Sequence, residues 1–119
     1  MRLSPRNLLL PLALAAGLLA HTPAGAASFD CATARAPDEA AVCGNCDLAQ
    51  LDVKMATLYG VLTHLVGMGE RGAIRDAQAE WLRQRAACGA DSACLVQAYR
   101  NRINLLEKGL EGIYSRGPF

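Results

Sequence analysis

Residues 47–66 read DLAQLDVKMATLYGVLTHLV, and the spacing of their apolar side chains decides the fold class. Leu48, Leu51, Met55, Leu58, Leu62 and Leu65 step by 3, 4, 3, 4 and 3, the period of one face of an α-helix and not of a strand. Asn45 or Asp47 can cap its start, because a short polar side chain there accepts the free backbone N–H groups of the first turn. At 1.5 Å per residue the segment spans roughly 30 Å and sets the length of the domain.

Outward from this helix the punctuation is clear. Downstream, Gly67, Gly69 and Gly72 predict a turn, since each glycine costs a helix about 1 kcal/mol relative to alanine. A third helix is expected from Gly72 or Ala73 to Cys88, with Ile74, Ala77, Trp81 and Cys88 facing inward and Arg71, Arg75, Gln78 and Arg83 mostly outward. Residues 89–92 end it and cap the next. A fourth helix over 92–113 carries Leu95, Tyr99, Ile103, Leu106, Leu110 and Ile113 on one face. Upstream, Pro37 followed by Asp38 and Glu39 starts a short helix that stops at Gly44 and Asn45, with the acids favoured by the helix dipole. No strand pattern competes. The expected fold is all-α: a small antiparallel three-helix bundle, up-down-up because short loops force neighbours side by side, with a short extra N-terminal helix. Tyr59, Trp81 and Tyr99 are its large core or core-edge residues, and Asp52, bordering the second helix's apolar stripe, is expected to pair with Arg85 or Arg102 across the bundle.

Residues 1–26 fit an export signal: Arg2 and Arg6, an apolar run over 8–20, and the small residues Ala24, Gly25 and Ala26 before the cut. The run is shorter than the roughly 20 residues of a membrane span and is broken by Pro11. Removing 26 of 119 residues leaves 93, residues 27–119, one small domain. That length excludes a multi-domain enzyme or a doubly wound nucleotide-binding fold, and a core so small calls for covalent staples. The expected location is periplasmic or extracellular. Without Arg2 and Arg6, ten basic residues face eleven acidic ones, so no nucleic acid or membrane is favoured as a partner. Residues 27–59, with five acids against two bases, are the acidic part.

The cysteines are Cys31, Cys43, Cys46, Cys88 and Cys94; two bridges can be drawn among five in 15 ways. A Cys88–Cys94 bridge would clamp the corner between the third and fourth helices. By loop-closure entropy a ring of about 7 residues contributes roughly 2.4 kcal/mol, and one of about 13, from Cys31 to Cys43, roughly 2.9. Cys43-Gly44-Asn45-Cys46 is also a C-x-x-C before a helix, where thiolate chemistry or soft-metal binding is favoured. Thioredoxin-type exchange would need a preceding strand, and a closed metal site would need more ligands than His64, Met55 and Met68 supply. A cysteine left over could link two chains in a disulfide-bonded dimer. His64 is off the apolar stripe with no serine or cysteine in register to activate. No catalytic constellation, metal or cofactor is expected.

Ser28-Phe29-Asp30-Cys31, Val42-Cys43 and Asp47-Leu48-Ala49-Gln50-Leu51-Asp52, with Tyr59 seven residues on, form one set of landmarks. Gln78, Trp81-Leu82, Arg85 and Cys88, then Cys94-Leu95, Tyr99, Arg102-Ile103 and Leu106 form another. Together, over residues 28–107, the chain resembles the LprI-type lysozyme inhibitor domain, with its Q-x-x-W-L-x-x-R-x-x-C and C-L-x-x-x-Y-x-x-R-I-x-x-L patterns. The resemblance implies a secreted or periplasmic helical domain, some of whose relatives inhibit lysozyme. It also implies four structural cysteines at Cys31, Cys43, Cys88 and Cys94, with Cys46 departing from the pattern as a free thiol. The function expected on this basis is non-catalytic: a binding protein that occludes the cleft of a cationic muramidase. Asp30, Asp38, Glu39 and Asp47 are the acidic contact candidates, and the 67–72 loop, with Met68 and Glu70, the candidate for insertion. A non-catalytic envelope adaptor, or thiol or metal handling through Cys43 and Cys46, is the alternative.

Overall fold

Among the described residues there are four helices: α1 (Pro37–Gly44), α2 (Cys46–Leu65), α3 (Met68–Ala87) and α4 (Ser92–Tyr114). They are seen in a computed structural model that describes residues 26–118. The export signal read over 1–26 lies outside the described residues except for Ala26. α2, α3 and α4 run up, down and up, and α1 crosses beside the start of α2 and the end of α3. α2 and α4 are therefore parallel: Asp52 meets Tyr99 and Leu62 meets Gly109, at the same sequence offset of 47. Contact is close there, since a Cβ on Gly109 would lie 2.9 Å from Leu62 Cδ2.

Local chemistry places the helix ends. Asn45 alone separates α1 from α2, and its side-chain oxygen accepts from Asp47 N at 3.0 Å and Leu48 N at 3.2 Å, capping α2 as expected. Asp91 caps α4 by accepting from Cys94 N at 3.1 Å. Before it, Gly89 takes φ +55°, a left-handed conformation that glycine adopts without steric cost. Pro37 is at the first turn of α1.

Two expectations are corrected. The third helix begins at Met68, not at Gly72 or Ala73, so residues 67–72 are a cap and a first turn and not a loop. The reason lies in Arg71, whose Nε donates to Thr63 O at 2.7 Å and whose Nη2 donates to Val66 O at 2.9 Å. Those bonds satisfy the open end of α2 and fix the corner, which offsets the cost of glycine in the turn. The inward face of α3 is also rotated. Trp81 and Arg85 are buried and Gln78 half-buried, whereas Ala77 is exposed.

The core consists of Val42 of α1, Leu48, Met55 and Leu62 from α2 with Val66 just past its end, Trp81 of α3, and Leu95, Tyr99, Ile103, Leu106, Leu110 and Ile113 of α4. All six inward positions read on α4 are buried. On α2 and just past its end the buried line runs Leu48, Asp52, Met55, Tyr59, Leu62 and Val66, with Tyr59 half-buried and Leu65 turned out at 53% exposure. Two disulfides close, Cys31–Cys43 with Cα atoms 5.7 Å apart and Cys88–Cys94 with Cα atoms 5.6 Å apart. The first ties the N-terminal segment to α1; the second clamps the α3–α4 corner.

Candidate functional site

Among the described residues four charged side chains are buried: Asp38, Asp52, Arg85 and Arg102. Removing such groups from water is costly unless each finds partners, and here they do. Arg85 projects from the last turn of α3 between α1, α2 and α4. Its Nε donates to Asp38 Oδ2 at 2.8 Å and its Nη1 to Tyr99 Oη at 3.4 Å. Nη1 is also 3.9 Å from Asp52 Oδ1, and Nη2 is 4.0 Å from Glu39 Oε1. The guanidinium plane lies near the Phe29 and Trp81 rings, at 5.4 and 5.8 Å to their centroids, favourable cation–π distances.

Tyr99 hands the network on, donating from its hydroxyl to Asp52 Oδ1 at 2.8 Å. The other oxygen of Asp52 accepts from Ser28 N at 2.6 Å. Asp52 thus pairs across the bundle, but its direct partners are a phenol and a backbone N–H; Arg85 is first of all the partner of Asp38. Arg102 donates to Gln78 Oε1 at 2.9 Å and lies within 3.4 Å of Ile74 O. The Trp81 indole donates to Ala98 O at 3.0 Å and its ring meets Tyr99 edge-on at 5.1 Å. Among the described residues no buried side-chain nitrogen or oxygen lacks a partner.

The electrostatics follow from this packing. Burial, then the charge of Asp52 and the hydrogen bond to it, raise the Tyr99 phenol well above its ordinary range, so it stays protonated. Burial opposes the Arg85 charge, yet Tyr99 and Asp38 outweigh it and the guanidinium is held more firmly protonated. Arg102 is shifted the other way by burial, in part offset by Tyr59.

The network also fixes an element with no regular structure, the N-terminal loop over 28–36. Ser28 is tied to Asp52, Phe29 packs on the core beneath Arg85, and Cys31 is bonded to Cys43. Inside the loop Ala32 N donates to Asp30 Oδ1 at 2.9 Å and Thr33 N to Asp30 O at 3.2 Å. Arg35 Nη1 donates to Ala32 O and Ala34 O at 3.1 and 3.0 Å. Asp30, Ala32, Thr33 and Arg35 remain exposed.

The six residues proposed as a contact surface do not come together. Asp30 is exposed in this loop, Glu39 is half-buried and accepts from Arg35 N at 3.4 Å, and Asp47 is exposed in the first turn of α2. These three share one end of the bundle. Asp38 is corrected: at 2% exposure and bonded to Arg85 it is an interior residue and cannot touch a partner. Its position one helical turn before the buried Val42 carried the signal, which its place in a helix's first turn masked. Met68, 87% exposed, and Glu70 are at the opposite end, roughly one α2 length or ~30 Å away. Asp91, read only as part of a cap, is exposed at the first end and belongs with Asp30, Glu39 and Asp47.

Cys43 is bonded to Cys31, and Cys46 is a free, exposed thiol. The C-x-x-C pair is therefore not a dithiol or an internal disulfide. Among the described residues no group of three His, Cys, Asp or Glu side chains converges as a metal site, and no helix is long and apolar enough to cross a membrane. His64 is exposed, with Nδ1 2.6 Å from Gly60 O. An open groove of about 430 Å³ between α2 and α4 is lined by Asp47, Gln50, Leu51, Lys54, Val96 and Arg100, and Lys54 there is paired with Glu107 at 2.8 Å. Compared with protein-family models, curated proteins and solved structures, the chain has no match.

Proposed function

We propose that this chain is an exported, non-catalytic binding domain that inhibits a muramidase by inserting its pinned N-terminal loop into the substrate cleft. The observation that carries the reading is the 28–36 loop: irregular, exposed at Asp30, Ala32 and Thr33, yet held by the Ser28–Asp52 bond, Phe29 and the Cys31–Cys43 disulfide. A loop already fixed in one conformation loses little entropy on binding, the main cost an interface must overcome. Asp30, Glu39, Asp47 and Asp91 surround it with negative charge, which accelerates encounter with a cationic enzyme.

Among the residues that bear the resemblance to LprI-type inhibitors, Asp52, Arg85 and Tyr99 share one buried network, Arg102 pairs with Gln78, and four cysteines form the two staples. They support a scaffold of that kind, while Asp30 and Asp47, also among those landmarks, are exposed and available for contact. Two disulfides favour an oxidising location outside the cytoplasm. A turbidity assay of bacterial cell-wall lysis tests the reading: the chain at micromolar concentration should slow lysis by a cationic muramidase. Undiminished lysis across lysozymes of several types would remove it.

A further inference from the structure

Arg85 is one cation facing three carboxylates: Asp38 at 2.8 Å, Asp52 at 3.9 Å and Glu39 at 4.0 Å. Asp52, only 1% exposed, has the poorest share, because its close partners, Tyr99 Oη and Ser28 N, are neutral. The other buried cation, Arg102, is bonded to Gln78. Its hydrogen bonds are satisfied, but the cation within 4 Å of it is shared with two other carboxylates, so a second positive charge nearby would lower the cost of keeping Asp52 ionised in the interior.

We infer that this second charge is made by processing: the α-ammonium of Ala27, released when residues 1–26 are removed, is the counter-charge of Asp52. Hydrolysis of the 26–27 peptide bond consumes one water and leaves a carboxylate on Ala26 and a protonated amine on Ala27. Ala27 is half-buried and packed against the core, and the next residue is the one tied to Asp52. Its nitrogen is three bonds, hence at most ~4.3 Å, from that of Ser28. With the Ser28 N to Asp52 Oδ2 distance of 2.6 Å, it lies within ~7 Å of the carboxylate before any adjustment, and rotation of one terminal residue brings it closer. A neutral peptide nitrogen at this position becomes a unit charge, which adds an ionic tie to a loop root already held by the Ser28–Asp52 bond, Phe29 and the Cys31–Cys43 disulfide. The inference rests on the export reading and adds to the inhibitor reading a charge that strengthens the root of its loop after processing.

The groups that face Asp52 are Tyr99 from α4, Arg85 from α3 and Ser28 from the loop, with Asp38 and Glu39 of α1 on the far side of Arg85. An amine beside this excess of negative charge titrates above its ordinary range. Its stabilisation is then fully present below the pKa it has in the unfolded chain and is lost as pH rises through the folded one. The test uses the exported, processed protein. An NMR titration of Ala27 should place its midpoint at least one pH unit above the ~8 of a free α-amine; an ordinary midpoint, or a mature chain starting elsewhere than Ala27, overturns the inference. Acetylating the amine should lower the urea midpoint at pH 7 and make no difference at pH 11, and equal midpoints at pH 7 overturn it. In Asp52→Asn the effect of acetylation should vanish; if that variant does not fold, the titration decides alone. No muramidase enters these readouts. An ordinary amine with full inhibition sinks this inference only, and a shifted amine without inhibition sinks only the inhibitor reading.

Discussion

Arg85 concentrates most of the risk in this molecule into one side chain. Replacing it with methionine keeps the volume but leaves Asp38 and Asp52 buried without their shared cation, so we expect a loss of about 3–5 kcal/mol in urea unfolding. Arg85→Lys should recover little, because one ammonium cannot reproduce a planar fork that reaches Asp38 and Tyr99 at once. Tyr99→Phe removes a hydrogen bond to a carboxylate and should cost about 1.5–3 kcal/mol near neutrality. Its pH dependence has a definite sign. The Tyr99 pKa is raised in the folded state, so the phenol's contribution is constant below its ordinary value of about 10 and falls above it. The stability gap between the wild type and Tyr99→Phe should therefore hold from pH 7 to about 10 and close at higher pH. At this scale the sequence was half legible. Asp52 facing Arg85 could be anticipated from a polar residue bordering an apolar stripe. Asp38 could not, because an acid in a helix's first turn is explained equally well by the dipole.

At the scale of the element, the apolar face of α4 was legible because Leu95, Tyr99, Ile103, Leu106, Leu110 and Ile113 are all buried, while Arg102, buried beside them, was read from sequence as an alternative partner of Asp52. α2 was legible as a helix but not in its rotation. The buried line passes through Asp52, and a reading that counts only apolar side chains takes Leu51, Leu58 and Leu65 for it and turns the face by about one residue. The start of α3 was hidden for a different reason. Three glycines argue for a turn on propensity alone, and only the tertiary bonds of Arg71 to Thr63 O and Val66 O explain a helix there. Arg71→Ala should thus cost about 1–2 kcal/mol, the penalty for leaving carbonyls without their donor. Amide exchange should become faster in the last turn of α2 and the first of α3, with the Trp81 region unchanged; protection lost evenly over the chain would show that Arg71 does not act as a local clamp.

For the whole molecule, two staples and one buried polar network hold a bundle whose ends differ. One end gathers the N-terminal loop, Asp30, Glu39, Asp47 and Asp91, while Leu65 and Met68 protrude at the other. Non-reduced protein should titrate with one free thiol, and Cys46→Ser should titrate with none and keep its unfolding free energy within about 0.5 kcal/mol, as an exposed side chain without partners would. The separation of Asp47 from Met68 and Glu70 was legible, because a helix over 47–66 puts them roughly 30 Å apart; the gathering of Asp30, Glu39 and Asp91 at the Asp47 end was not, because it depends on how the loop, α1 and the α3–α4 corner pack. In the function we propose, the loop end makes the contact. That contact is tested most directly by measuring inhibition of cell-wall lysis with two charge reversals, Asp30→Lys in the loop and Glu70→Lys at the far end. We predict that Asp30→Lys loses most of the inhibition and that Glu70→Lys keeps it; inhibition that survives Asp30→Lys and disappears with Glu70→Lys would contradict the account.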